Sequence, residues 1–354
     1  MKNFFLAYTT YHILLSYAIA LEKKHDDNML VICEDTNNVK MFVDTLQQIY
    51  SSANIKVHYL TATRNRNNIA AYLIKKNNLK RLRQLIQSDS DIDSFFYTCE
   101  WKVYTTYASY LLNQQKKEPA FFYIDDGAGT YMQQEKKLVT KSFIEKLGDK
   151  IAYGSWHRPF ERQGSLNQNS ILCSIFPEFL PNFYSSQNKL QISATSLSTE
   201  IDRTKFKKIF SGLFNGAIPD VLIALDDASR CTESYLSSIK LAISKATKNA
   251  NCKIAIKRHP ADADNNSLLK RLQMLGNFED LPIYIPIELY YLYFGESLKV
   301  IVGGFSTAIL TACWLVPHAK VISTFDSQSL ESIDNSRLLL KVFKSLDVEI
   351  NCID

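Results

Sequence analysis

Short apolar segments alternate with longer segments typical of helices along most of this chain. In the first half, apolar runs lie at residues 4–7, 28–33, 55–60, 94–98 and 120–124. When a strand is followed by a helix and then by another strand, the two strands usually run parallel, with the helix packed on one face. The alternation therefore predicts an α/β fold with parallel sheets that are covered by helices on both faces.

The alternation is interrupted once, which suggests two domains. Pro, Ser and Asn are frequent between residues 151 and 218, and the strand–helix pattern resumes at Pro219. Among its elements, this second pattern predicts a helix at 268–275 and a short strand at 283–285. A length of 354 residues is also too great for one ordinary core. We expect Rossmann-like domains over residues 1–150 and 219–354, joined by an irregular connection over 151–218.

Composition excludes several classes of protein. The chain is 46% hydrophobic and 22% charged, which is typical of a soluble globular protein. No run approaches the roughly 18–20 apolar residues of a membrane span. The apolar N-terminus is interrupted by Thr9, Thr10 and His12, and no small-residue cleavage site follows; we therefore expect a cytoplasmic protein. Seven scattered cysteines without CxxC spacing predict neither a metal site nor a disulfide framework.

A basic cluster lies between residues 64 and 83. Its cations include Lys75, Lys76, Lys80, Arg81 and Arg83, and apolar residues recur among them at helical spacing. A solvated helix face is one interpretation. Contact with an anionic membrane surface or an acidic glycan is the other. Nucleic acid is not expected as a partner, because no basic motif interleaved with aromatic residues accompanies the cluster.

The first motif whose residues are suited to catalysis follows the apolar run 120–124. Asp125 and Asp126 come directly after this run, and Gly127 and Gly129 follow. Polar residues at the end of a buried parallel strand often lie in a ligand crevice. Two adjacent carboxylates repel each other, so one of them is suited to accept a proton. The glycines allow backbone conformations that β-branched residues resist.

The second motif ends the predicted strand 253–257. Lys257 and Arg258 place positive charge beside His259, and Pro260 restricts the backbone there. An imidazole can donate a proton or a hydrogen bond to a leaving phosphate. This segment therefore indicates a phosphate-binding residue at a strand end.

The third motif begins at Gly303 and Gly304 and continues to Ser306 and Thr307. Glycines and hydroxyls that precede a helix can form an anion site with the free N–H groups of the helix N-terminus. The segment lacks the lysine of a P-loop. Glu288, two residues after Pro286, is placed to accept hydrogen bonds from ribose hydroxyls.

The order of these motifs resembles that of bacterial sialyltransferases. Those enzymes share an Asp/Glu-Asp/Glu-Gly motif, a His-Pro motif and a later pair of Ser or Thr residues. Here the motifs read Asp125-Asp126-Gly127, His259-Pro260 and Ser306-Thr307. The run 125–131 and the N-terminal segment 8–14 (Tyr-Thr-Thr-Tyr-His-Ile-Leu) are most similar to glycosyltransferase family 52, which includes lipooligosaccharide sialyltransferases.

This resemblance implies a GT-B fold, in which two Rossmann-like domains face each other across a cleft. It also implies an inverting, metal-independent transfer of sialic acid, or a related nonulosonic acid, from its CMP donor to a bacterial surface glycan such as capsule, O-antigen or lipopolysaccharide. A cytoplasmic location, peripheral contact with the inner membrane and a homodimer are compatible with it.

The resemblance also assigns roles to individual residues. Asp125 is the expected base, with Asp126 supporting or replacing it, and His259 assists departure of the CMP phosphate. Glu288 binds the ribose. The other expected donor-site residues are Lys257, Arg258, Pro260, Pro286, Gly304, Ser306 and Thr307, and those expected on the acceptor side or in its loops are Thr9, Thr10, Gly127 and Gly129.

Two alternatives remain at this stage. Some family members are thought to take their base from the C-terminal domain, where Asp226, Asp227 and Glu233 precede the His-Pro motif. The fold also occurs in some epimerases and in periplasmic-type binding proteins, so fold alone does not determine function. The chain could therefore use another nucleotide-sugar donor, or bind a sugar nucleotide without catalysis.

Overall fold

The computed structural model divides the chain into two units. One is built from residues 1–126 and 134–201, and the other from residues 127–133 and 202–354. The chain thus passes from the first unit to the second between Asp126 and Gly127. The structure describes residues 1–33, 39–62, 68–89, 91–132, 154, 156–157, 164, 166–167, 170–214, 216–226, 232–246, 252–260, 278–326 and 336–353.

The sheet of the first unit is parallel throughout its described strands. They lie in the order β3-β2-β1-β4-β5-β6-β7. The first six follow the strand order of a Rossmann fold, in which ligands bind where the order reverses, here between β1 and β4. The strands are β1 (Lys2–Ala7), β2 (Asp27–Ile32), β3 (Ile55–Tyr59), β4 (Ser94–Tyr97), β5 (Ala120–Ile124), β6 (Ile171–Ser174) and β7 (Lys189–Gln191).

Stacked phenylalanines hold the centre of this sheet in register. Phe5 lies opposite Phe96, and Phe96 lies opposite Phe122. Their ring centroids are 4.5 and 4.4 Å apart, with the rings nearly parallel. A one-residue slip would move these rings to the other face of the sheet, so the stack fixes where β1, β4 and β5 end. The described helices of this unit are α1 (Thr10–Glu22), α2 (Val39–Ile49), α3 (Asn68–Ser88), α4 (Val103–Leu112) and α6 (Thr195–Glu200).

The second unit repeats the same strand order. Its described strands are parallel and lie in the order β10-β9-β8-β11-β12-β13. They are β8 (Val221–Ala224), β9 (Ile254–Lys257), β10 (Glu279–Leu281), β11 (Val300–Gly303), β12 (Lys320–Asp326) and β13 (Glu349–Ile353). Its described helices are α5 (Ala128–Tyr131), α7 (Arg203–Leu213), α8 (Glu233–Ala246), α9 (Ile287–Phe294), α10 (Thr307–Leu315) and α11 (Ser336–Ser345).

One predicted strand is wrong. Residues 283–285 form a turn, and the strand lies at Glu279–Leu281 instead. Pro282 and Pro286 bracket the apolar run and prevent it from extending. The strand that forms carries two acids because it is the edge of the sheet, where charged side chains are tolerated.

Other parts of the secondary structure were not predicted. The region 151–218, expected to be an irregular connection, contains β6 and β7 of the first sheet and the helices α6 and α7 in its described part. Two further elements, α11 and β13, were also not predicted from the sequence. A helix predicted at 268–275 lies outside the described residues. No helix in the described ranges is long and apolar enough to cross a membrane.

Candidate functional site

Polar side chains gather where β1, β4 and β5 of the first unit end. His12 lies in the first turn of α1, after β1, while Cys99 follows β4 and Asp126 follows β5. These strands are neighbours in the sheet, and their parallel pairing brings their carboxyl ends to one edge. The edge includes the point between β1 and β4 where the strand order reverses, which is the usual ligand position of such sheets.

A close hydrogen bond lies at the centre of this group. His12 Nε2 is 2.6 Å from Asp126 Oδ1, and the Cys99 thiol donates to the same oxygen over 3.3 Å. Burial raises the pKa of the Cys99 thiol, so the sulfur keeps its proton and remains a donor. Two donors on one oxygen restrict the orientation of the Asp126 carboxylate.

The two adjacent aspartates occupy different environments. Asp125 is fully buried, with 0% of its surface exposed, and its backbone N–H donates to the Cys173 carbonyl over 2.8 Å. The Asp126 side chain is 11% exposed. Asp126 is therefore the member of the pair that reaches the surface of the unit. Thr9 is the exposed N-cap of α1 and accepts the His12 N–H over 3.3 Å, and Thr10 is half-buried.

The glycine of the first motif belongs to the second unit and packs on the third motif. Gly127 has φ of +75°, a conformation that L side chains rarely adopt. A Cβ atom there would lie 2.4 Å from Thr307 Oγ1. The next residue, Ala128, donates its N–H to the same oxygen over 3.1 Å. Thr307 thus binds this backbone segment, and Gly129 lies exposed within α5.

The strand ends of the second unit carry the other predicted residues. Asp226 follows β8, His259 follows β9, and Gly304 and Ser306 follow β11. His259 and Pro260 are exposed. Ser306 is the N-cap of α10, but its side chain makes no capping hydrogen bond. A hydroxyl that does not cap its helix is suited to bind an anion at the helix N-terminus.

Gly304 makes room for an acid at the point where this strand order reverses. A Cβ atom on Gly304 would lie 1.7 Å from Asp226 Oδ2. The Asp226 carboxylate therefore lies directly over the glycine backbone. Of the other acids proposed as a base, Glu233 is exposed at the start of α8, and Asp227 lies outside the described residues.

A buried lysine lies beside this edge. Lys257 is 3% exposed, and its Nζ donates to the carbonyls of Arg258 and Ile283 over 2.9 and 3.0 Å. Burial lowers its pKa from the ordinary 10.5 to about 8, although the nearby Glu288 carboxylate favours the charged form. Glu288 is itself buried in the first turn of α9, after the buried Pro286.

The Arg258 guanidinium forms an ion pair with the Asp280 carboxylate. Its Nε and Nη2 donate to the two carboxylate oxygens of Asp280 over 3.2 and 2.9 Å. Nη1 is buried and has no hydrogen-bond partner in the described part of the chain. The guanidinium therefore ties the end of β9 to the edge strand β10.

The basic cluster lies on α3, whose exposed face includes Lys76, Lys80 and Arg83. Between Asn68 and Ser88 this helix contains five cations and no acid. Ile69, Tyr72 and Leu73 are 76%, 40% and 55% exposed. Lys76 lies 5.5 Å from the centre of the Tyr72 ring. Apolar and cationic side chains thus share the surface of one helix.

Sequence reasoning missed His12 and Cys99 as members of the first group. Both follow a predicted strand within a few residues, and that position was an available signal. The strand order that brings β1, β4 and β5 together is not visible in the sequence, so nothing connected the two residues with Asp126.

Comparison with known proteins finds similarity in structure alone. No protein-family model matches the chain, and no curated protein matches it in sequence. An α/β-galactoside α-2,3-sialyltransferase from Photobacterium phosphoreum has a TM-score of 0.56 at 12% identity, covering 99% of this chain and 98% of its own. A UDP-GlcNAc 2-epimerase from Neisseria meningitidis, bound to UDP-GlcNAc, has a TM-score of 0.53 at 14% identity, covering 99% and 95%.

A third similar structure is TcCGT1 in complex with UDP, with a TM-score of 0.55 at 11% identity, covering 100% of this chain and 86% of its own. Identities this low show the fold and nothing finer. The chain has the α/β fold of GT-B glycosyltransferases and sugar-nucleotide epimerases, with two Rossmann-like domains.

Gly304→Ala should destabilise the protein. The new methyl group would displace the Asp226 carboxylate, and overpacking of this kind costs about 1–3 kcal/mol. Chemical denaturation measures the loss. The control is Gly212→Ala in α7, because a Cβ placed there meets no atom within 4 Å apart from its chain neighbours and the nearby backbone of its own helix. This change should leave the free energy of unfolding unchanged or raise it slightly. Equal free energies of unfolding for the two variants would contradict the close packing of the Asp226 carboxylate on Gly304.

Lys257 should make stability depend on pH at alkaline pH. In the folded protein it loses its proton near pH 8, whereas in the unfolded chain it does so near 10.5. Between these values the unfolded state binds one more proton, so the free energy of unfolding rises with pH, by about 3 kcal/mol in total. Denaturation of the wild type and of Lys257→Met from pH 7 to 11 measures the free energy of unfolding of each protein. The difference between the two gives the contribution of Lys257. A constant difference between the two proteins would show that Lys257 titrates normally.

Proposed function

We propose that this protein is an inverting glycosyltransferase that transfers sialic acid, or a related nonulosonic acid, from its CMP donor to a sugar hydroxyl of a bacterial surface glycan. The observation that carries the proposal is the position of the His-Pro and Ser-Thr motifs. Both follow strands of one parallel sheet, at the edge where Rossmann folds bind nucleotides. The similarity in fold to a sialyltransferase supports it.

In this proposal the second unit binds the donor. The phosphate of CMP lies at the N-terminus of α10, where it accepts hydrogen bonds from backbone N–H groups and from the Ser306 hydroxyl. His259 donates a hydrogen bond to the same phosphate, and Glu288 accepts from the ribose hydroxyls. Lys257 is buried beside them with its charge weakly compensated, so a bound anion would favour its protonated form.

The reaction needs one base and one stabilised leaving group. The acceptor oxygen forms a bond to the anomeric carbon while the bond from that carbon to the phosphate oxygen breaks, and CMP leaves with the electron pair. The proton of the acceptor hydroxyl passes to a carboxylate. We assign this role to Asp126 instead of Asp125, because Asp125 is fully buried whereas Asp126 reaches the surface of its unit. No metal ion takes part in the proposed reaction.

Calorimetric titration with CMP, UDP and GDP, without added metal, tests the donor assignment. We expect CMP to bind and UDP and GDP to bind at least tenfold more weakly, a difference of about 1.4 kcal/mol. Ser306→Ala should weaken CMP binding by about 1–2 kcal/mol, since it removes one hydrogen bond to a charged group. A preference for UDP would overturn the sialyl donor and favour another transferase or an epimerase. Binding of no nucleotide would count against the proposal as a whole.

We also propose that the exposed face of α3 contacts an anionic lipid surface, which would bring the enzyme to a lipid-linked acceptor. The exposed Lys76, Lys80 and Arg83 complement such a surface, on a helix that carries no acid. The exposed Ile69, Tyr72 and Leu73 can enter the headgroup region.

Sedimentation with phosphatidylglycerol and phosphatidylcholine vesicles tests this contact. The wild type should bind the anionic vesicles, and Lys76→Glu/Lys80→Glu should lose most of that binding. The charge-matched control is Lys207→Glu/Lys208→Glu on α7, whose lysines are also exposed. Equal losses in the two double variants would show that net charge, and not this face, drives binding.

A further inference from the structure

His12 is a buried histidine that the proposed reaction does not yet use. It lies in the first turn of α1, is 2% exposed, and places Nε2 2.6 Å from Asp126 Oδ1. Its other ring nitrogen, Nδ1, is also buried and has no hydrogen-bond partner among the described residues.

The burial of Nδ1 decides which ring nitrogen carries the proton. A buried N–H without an acceptor is costlier and rarer than a buried acceptor without a donor. The proton therefore belongs on Nε2, where it is donated to Asp126. The burial of Nδ1 without a partner thus fixes the tautomer of the ring.

The backbone of Cys99, the third member of this group, also has an unusual conformation. Cys99 adopts φ of +47°, in the left-handed region that is unusual for a residue other than glycine. Such a conformation persists where the surroundings impose it. Here the strained backbone accompanies a thiol that donates to the same Asp126 oxygen as His12.

A metal ion bound by both His12 and Asp126 does not fit the distance between His12 Nε2 and Asp126 Oδ1. His12, Cys99 and Asp126 each offer one ligand atom, and these atoms lie within 4.8 Å of one another. Nitrogen and oxygen ligands on one tetrahedral zinc would be about 3.4 Å apart. The observed 2.6 Å is instead a direct hydrogen bond.

We infer that His12 is a positioning residue for the transfer reaction: its Nε2–H holds the Asp126 carboxylate in one orientation, so that Asp126 can accept the proton of the acceptor hydroxyl. This inference rests on the proposed function. It deepens that function, because it adds a residue that touches neither substrate but sets the geometry of the base.

A double-mutant cycle tests the inference on activity. His12→Leu keeps the size of the side chain and removes the donor, whereas His12→Gln retains an N–H that can reach Asp126. We expect His12→Leu to lower kcat about 10–100-fold, with the KM for acceptor and the affinity for CMP nearly unchanged, and His12→Gln to restore most of kcat. In an Asp126→Asn background, His12→Leu should cost nothing further. The control acid variant Glu118→Gln, at an exposed residue of the first unit, should keep full activity.

Several outcomes would overturn the inference. His12→Leu and His12→Gln could lose activity equally, or the losses from His12→Leu and Asp126→Asn could multiply, as they would for a histidine that only stabilises the fold. Loss of activity on chelation, with recovery on adding Zn²⁺, would identify a metal site instead. Thermal unfolding and CMP titration of each variant show whether it is folded.

A spectroscopic measurement separates failure of the inference from failure of the proposed function. In ¹⁵N-histidine-labelled protein, which has six histidines, the His12 resonance is the one absent from His12→Gln. It should show a protonated Nε2 with a proton shifted downfield, and this shift should disappear in Asp126→Asn. If the shift is absent the inference fails, whatever the protein catalyses. If the shift is present in a protein that transfers no sugar from CMP donors, the proposed function fails alone.

Discussion

Parallel strand pairing is the constraint on which the rest of this structure depends. In each unit the described strands run in one direction, so their carboxyl ends emerge at one edge of the sheet. Residues far apart in sequence, such as His12 and Asp126 in the first unit or Asp226 and Gly304 in the second, become neighbours at that edge. In the first unit, the stacked rings of Phe5, Phe96 and Phe122 hold β1, β4 and β5 in the register that places their ends.

The two edges differ in their electrostatics. In the first unit one oxygen of the Asp126 carboxylate lies within hydrogen-bond distance of His12 and Cys99, which restrict its orientation. In the second unit the N-terminus of α10 and the buried Lys257 provide positive potential. The proposed reaction uses the two edges separately, with Asp126 of the first unit as its base and the edge of the second unit as its phosphate site.

The three residues of the Asp-Asp-Gly motif have three separate physical roles. Asp125 is buried, Asp126 reaches the surface of the first unit, and Gly127 takes a left-handed conformation against Thr307 in the second. Thr307, expected to bind phosphate, accepts a backbone N–H from Ala128. The hydroxyl of Ser306 makes no capping bond to α10 and is the more suitable anion ligand of the pair.

The sequence by itself determined the fold class and most of the element boundaries. Apolar runs such as 120–124 match their strands because a strand buried in a parallel sheet must be apolar on both faces, which leaves a local signal. It also marked the ends of β5, β9 and β11 as sites for chemistry. Only the tertiary structure decided which aspartate reaches the surface, that Arg258 pairs with Asp280, and that His12 and Cys99 converge on Asp126. These facts depend on strand order and burial, which arise from contacts between distant segments and leave no periodic trace in the sequence.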